Sequence, residues 1–170
     1  MVIIPGDVAY GDNPITYNYQ EFLNDKDYFI ESLFSVQPFD KYKDKFNIYI
    51  YEKNLICYLN EYEYTVCGFE IGKNIEDLSI YNQEIGYFDI YLIMEGREGG
   101  GLGGSVIIGK GKGDGKTNLH ELGHYFGLEH SEPNEDIMSW GPSPLYFSKE
   151  NVEIIDSKLT NWRDCYIFEE

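Results

Sequence analysis

His120-Glu-Leu-Gly-His124-Tyr-Phe-Gly127-Leu-Glu-His130 holds all 3 histidines of the chain, and its spacing is the key to the fold. At about 100° per residue, helical positions four apart share a face, so His120 and His124 direct two imidazoles the same way. Leu119, Leu122 and Phe126 fall on the other side and can anchor that helix to a core. Glu121 follows the first histidine directly, where its carboxylate reaches a metal-bound water without having to ligate the metal. Gly127 can take the positive φ that ends a helix and reverses the chain, which returns His130 as a third ligand. Three imidazoles leave a tetrahedral zinc one open position, the arrangement of a catalytic site. A structural zinc would close that position with Cys or His; no histidine is left, and Cys57, Cys67 and Cys165 lie far away in sequence. Chance is a poor rival: a bare H-E-x-x-H has odds on the order of 1 in 200 in such a chain, and the fixed glycine and third histidine remove roughly three more decades.

The rest of the chain reads as mixed α/β, with strands and helices alternating. Val2-Ile-Ile4 predicts a short buried strand closed by Pro5-Gly6-Asp7. Asn18 and Glu21 form a capping box before a helix whose Phe22, Phe29, Ile30 and Leu33 share a face, ending before Pro38. Strands are expected at Phe46–Tyr51, Tyr64–Ile71, Phe88–Met94 and Ser105–Gly109, and a helical turn at Ile75–Tyr81. Further helices are expected over Thr117–Phe126 and, after a Ser148 cap, along Val152, Ile155 and Leu159. No repeat or Pro/Ser-rich linker divides the 170 residues, so one catalytic domain is expected.

Other function classes fall away. Asp+Glu 30 against Lys+Arg 13 gives a net charge of -17, which repels phosphate and argues against nucleic acid and anionic membranes. No apolar run is long enough to span a bilayer. Gly99, Gly101 and Gly104 match a dinucleotide fingerprint only in form, because Ser105-Val-Ile-Ile108 follows where a helix should open. Gly115-Lys-Thr117 lacks the first glycine of a phosphate loop, since that position is Lys110. Three cysteines are too few for a disulfide scaffold; Cys57 and Cys67 either pair or stay as buried thiols. The compartment stays open: cytoplasmic if Met1 is the native start, secreted if a leader was removed.

H-E-x-x-H-x-x-G-x-x-H at His120–His130 resembles the metzincin signature of zinc metallopeptidases, and Asp136-Ile-Met138-Ser139 is similar to the Met-turn of that clan. Within it, the chain looks most like the igalysin (IgA-peptidase-like) family. Phe29 to Tyr49 resembles that family's helix-then-strand segment, Val2 to Asp7 its opening strand, and Gly99 to Gly104 its glycine-rich loop. The resemblance implies a metzincin-like zincin fold: a twisted mixed sheet with an edge strand above the cleft, an active-site helix, a Met-turn and a C-terminal helix. It implies an upper subdomain over residues 1–127 and a lower one over 128–170 that carries the third ligand. It implies one Zn2+ held by His120, His124 and His130, Glu121 as catalytic base, and Gly127 and Met138 as structural neighbours. Ser105, Val106, Ile107 and Ile108 are expected to be the substrate-pairing edge, with Trp140 beside the cleft. Some metzincins place a tyrosine where Trp140 stands, so that role is unassigned here.

The expected activity is zinc-dependent endopeptidase hydrolysis of a protein or peptide partner by a monomer, with a glutamate general base. The competing readings are a zinc-binding regulatory module without turnover and a zinc amide hydrolase acting on a non-protein substrate. Intact Glu121 speaks against the first.

Overall fold

The computed structural model describes residues 1–10, 13–15, 18–59, 65–68, 88–95, 101–103, 106–110, 115–140 and 143–161. Within them the strands are β1 (Val2–Tyr10), β2 (Asn13–Ile15), β3 (Tyr49–Ile50), β4 (Leu55–Leu59), β5 (Thr65–Gly68), β6 (Tyr91–Glu95), β7 (Gly101–Gly103) and β8 (Val106–Lys110). The α-helices are α1 (Tyr19–Leu33), α2 (Gly115–Tyr125) and α3 (Lys149–Thr160), with a 3-10 turn at Phe39–Lys45. The strands form one mixed sheet in the order β5-β4-β1-β6-β8-β7, with β2 and β3 paired to the two ends of β1. β1 is parallel to β3, β4 and β6, and β6 to β8; β2, β5 and β7 add antiparallel.

The central strands are covered on both faces, which is why Val2-Ile-Ile4 and Tyr91 to Met94 read as continuous apolar runs. Ile3, Leu92, Met94 and Ile107 face a core built with Phe22, Phe29 and Leu33 of α1 and Leu119 and Leu122 of α2. Val2, Ile4, Tyr91 and Ile93 face the opposite way, onto Leu55 and the Cys57–Cys67 disulfide that joins β4 to β5. The helix caps agree with the sequence. Asn18 Oδ1 accepts from the Gln20 and Glu21 amides, and Ser148 Oγ from the Asn151 amide.

Three expectations need correcting. Pro5-Gly6-Asp7 does not close the first strand; β1 runs straight through it to Tyr10. Residues 1 and 3 turn their carbonyls to Tyr49 and Tyr51, so the nitrogen of Pro5 points to that same side. There it falls between the end of β3 pairing at Ile3 and the start of β4 pairing at Gly6, so its missing N–H costs no ladder bond. Gly6 fits because a Cβ there would stand 2.7 Å from Cys57 Sγ and 3.1 Å from Ile93 Cγ2. The glycine thus marks a close approach rather than a turn.

The second correction concerns the expected edge strand at residues 105–109. Val106, Ile107 and Ile108 pair with Tyr91, Leu92 and Ile93 on one side and with Gly103, Leu102 and Gly101 on the other. These three residues are therefore interior to the sheet, with Ile107 1% exposed. Among the described residues the edge on this side is β7, and β5 is the edge on the other. The expected strand Phe46–Tyr51 shrinks to Tyr49–Ile50. Ser105, the helical turn at 75–81 and the outer parts of the 64–71 strand lie outside the described residues.

Candidate metal centre

Helix α2 packs against α1 and β8 through Leu119 and Leu122, which leaves His120 and His124 on the half-buried side. The helix ends in a Schellman motif. Gly127, at φ 77°, donates its N–H to the His124 carbonyl at 2.8 Å, and Leu128 N–H reaches back to the Gly123 carbonyl at 3.0 Å. The reversal brings His130 over the two helical histidines. His130 Nε2 lies 3.1 Å from His124 Nε2 and 3.2 Å from His120 Nε2.

The remaining ring nitrogens decide what this convergence can do. His120 Nδ1 is 2.8 Å from the Ile137 carbonyl, and His124 Nδ1 is 2.8 Å from the Leu128 carbonyl. A carbonyl only accepts, so each Nδ1 carries the proton and each Nε2 presents a lone pair. Lone pairs gathered this closely repel unless a cation lies among them. Tetrahedral zinc with bonds of 2.0–2.1 Å sets its ligand atoms about 3.3 Å apart, close to the two spacings from His130; all three ligand atoms lie within 4.8 Å of one another, and imidazole nitrogens suit that ion. Burial pushes the pKa of His120 down, with further lowering from His124, and the Ile137 carbonyl only partly offsets this. Burial and the other two histidines likewise push His130 down. Neutral imidazoles are the form that ligates. Glu121, half-buried on the same helix, has its carboxyl raised by burial, with His124 pulling the other way; a more basic carboxylate is a better proton acceptor.

The turn at residues 136–139 lies directly beneath this group. Met138 is fully buried, and a Cβ on Gly123 would collide with its Sδ, so the glycine between the two helical histidines is what admits the methionine. Met138→Ala is expected to lower stability by about 2–4 kcal/mol by opening a cavity under α2. A thermal melt checks this, and an unchanged melting curve would mean the methionine is not packed there.

Asp136 has a role that no local sequence pattern announces. Its carboxylate is buried and accepts from Ser131 Oγ (2.6 Å), Met138 N (2.8 Å), Ser148 N (2.8 Å) and Asn151 Nδ2 (2.7 Å). It ties the segment after the third histidine, the turn and the start of α3 to one point, and so fixes the Ile137 carbonyl that orients His120. The only sequence signal was its place in the turn, because three of its four partners are remote. Burial works to raise its pKa, but the four donors prevail and hold it below the ordinary aspartate value. A depressed native pKa contributes stability above the unfolded-state value and loses it as pH falls through the native one. Asp136→Asn is therefore expected to cost about 2–4 kcal/mol near neutral pH. That deficit should narrow only in acid below the ordinary aspartate range; melting temperatures of both proteins across pH test this, and a deficit that stays constant into strong acid contradicts it.

His120, Glu121, His124, Gly127, His130 and Met138 are thus brought into one place. Trp140 joins them from the loop after the turn, its ring 3.9 Å from that of His130. Val106, Ile107 and Ile108 lie instead inside the sheet.

No family model and no curated protein matches the chain. Among solved structures it is similar to archaemetzincin from Methanopyrus kandleri, with 18% identity, a TM-score of 0.52, and coverage of 94% of this chain and 96% of that one. The likeness spans nearly the whole of both chains and shows a zincin-like fold, without extending to the igalysin family in particular.

Proposed function

We propose that the protein is a zinc-dependent hydrolase and, within that class, an endopeptidase. The observation that carries the reading is the convergence of three Nε2 atoms whose two helical members are locked, through Nδ1, as lone-pair donors. His120, His124 and His130 would hold one zinc, which supplies Lewis acidity toward a carbonyl and an acidified water. Glu121 accepts the proton of the attacking water and delivers it to the leaving amine, so no covalent enzyme intermediate is needed. A zinc-binding module without turnover has no use for that carboxylate.

In this reading the described residues up to Gly127 form the wall above the cleft and those from Leu128 the floor. The docking edge moves outward by one strand, from β8 to β7. β7 also packs near α2, and an edge strand offers free N–H and C=O groups to an extended peptide. Zinc-loaded protein incubated with a peptide library, and separately with peptidoglycan crosslinks, tests the reading by mass spectrometry of the products. Cleaved peptides support it. Hydrolysis of the crosslinks alone would replace the peptidase by a non-protein amide hydrolase, and no hydrolysis of either would overturn it.

A further inference from the structure

We propose that Trp140 is the positioning residue of the third histidine: its indole, rather than a hydrogen bond, holds the His130 ring with Nε2 aimed at His120 and His124. The proposal rests on the zinc reading above. A metal-binding imidazole needs a partner that fixes its orientation. His120 and His124 have theirs in the Ile137 and Leu128 carbonyls. For His130, the hydrogen-bond-range contacts among the described residues are both through Nε2 and both to the other histidines. What it has instead is Trp140, with ring centroids 3.9 Å apart and planes 31° from parallel, closer than any approach among the three histidines themselves.

Trp140 does not stand there for its own burial, since it is 70% exposed. The backbone on either side of the stack is nonetheless held. Ser131 and Ser139 form a bridge, and Ser131 N–H donates to the Met138 carbonyl at 3.2 Å. Ser139 Oγ donates to the Glu132 carbonyl at 2.6 Å and accepts from the Glu135 and Asp136 amides. His130 and Trp140 each lie one residue from this clip, so their rings are brought together by backbone set in advance of any ion. The stack also has a preferred state. An imidazole that shares its lone pair with a cation becomes electron-poor, and the electron-rich face of an indole attracts such a ring more strongly. Trp140 therefore favours the ion-bound arrangement over the empty one, which is how a residue that touches no ion can raise affinity.

The test compares wild type, Trp140→Ala and Trp140→Phe. The readouts are zinc affinity by competition with a chromophoric chelator, the visible spectrum of bound Co2+, and the melting temperature without metal. Trp140→Ala is expected to weaken zinc binding by about 10–100-fold and to alter the Co2+ spectrum, as loss of an orienting partner does. Trp140→Phe keeps an aromatic face and should restore affinity to within about threefold of wild type. Both metal-free variants should melt with the wild type, because an exposed ring is lost. Wild-type affinity and an unchanged spectrum in Trp140→Ala would overturn the proposal, as would equal loss in the Phe and Ala variants. A wild type that binds neither ion overturns the zinc reading and this proposal with it.

Discussion

Glu121→Gln is expected to lose about 10³–10⁴-fold in peptide hydrolysis while keeping the fold and the zinc of the wild type. The substitution is nearly isosteric, and Glu121 is neither one of the converging ligands nor part of the apolar face that packs on α1. It removes only the capacity to accept a proton, so the loss belongs in kcat at saturating substrate. Zinc content and melting temperature should stay with the wild type and so separate a lost base from a lost site. Activity within about tenfold of wild type would mean that another group is the base, because a positioned general base is worth at least about a hundredfold.

Legibility in the sequence follows the range of the interactions involved. The eleven residues from His120 to His130 could be read almost completely, since their geometry is local. A helical repeat sets the first two histidines, and one glycine in the left-handed region sets the third. The caps at Asn18 and Ser148 are local in the same sense. Strand edges are not legible in this way, because a partner strand is not written into a strand's own residues. Gly101-Leu-Gly103 has too few side chains to announce itself, yet it covers β8 and turns the expected edge into an interior strand. Pro5-Gly6 carries the local signature of a turn, but the register of β3 and β4 places the proline in a gap and the glycine against Cys57. Asp136 shows the same limit within the site. Its bonds reach Ser131, Ser148 and Asn151, which are 5, 12 and 15 residues away, so no short motif contains them.

The double variant His120→Ala/His124→Ala is expected to hold no zinc under conditions where the wild type holds about one ion per chain. Two of the three converging nitrogens are gone, and the remaining one, His130, is an exposed side chain on a loop. A single imidazole gives an ion no chelate and no tetrahedral enclosure. The consequence is measurable without any substrate. Because zinc binds the native chain and not the assembled site of an unfolded one, free zinc at about 1,000 times its dissociation constant adds about 4 kcal/mol to wild-type stability. For a domain of this size that amounts to a rise in melting temperature on the order of 10 °C. The double variant should show no such rise, and its own metal-free melting point should fall somewhat, since the Ile137 and Leu128 carbonyls lose their imidazole donors. His130→Ala isolates the metal term, because that ring donates to no carbonyl among the described residues. It should melt with the wild type when metal-free and gain far less from zinc. If the double variant kept full zinc occupancy and the wild-type thermal response, the ion would be bound elsewhere, and the three-histidine centre would be wrong as a metal site.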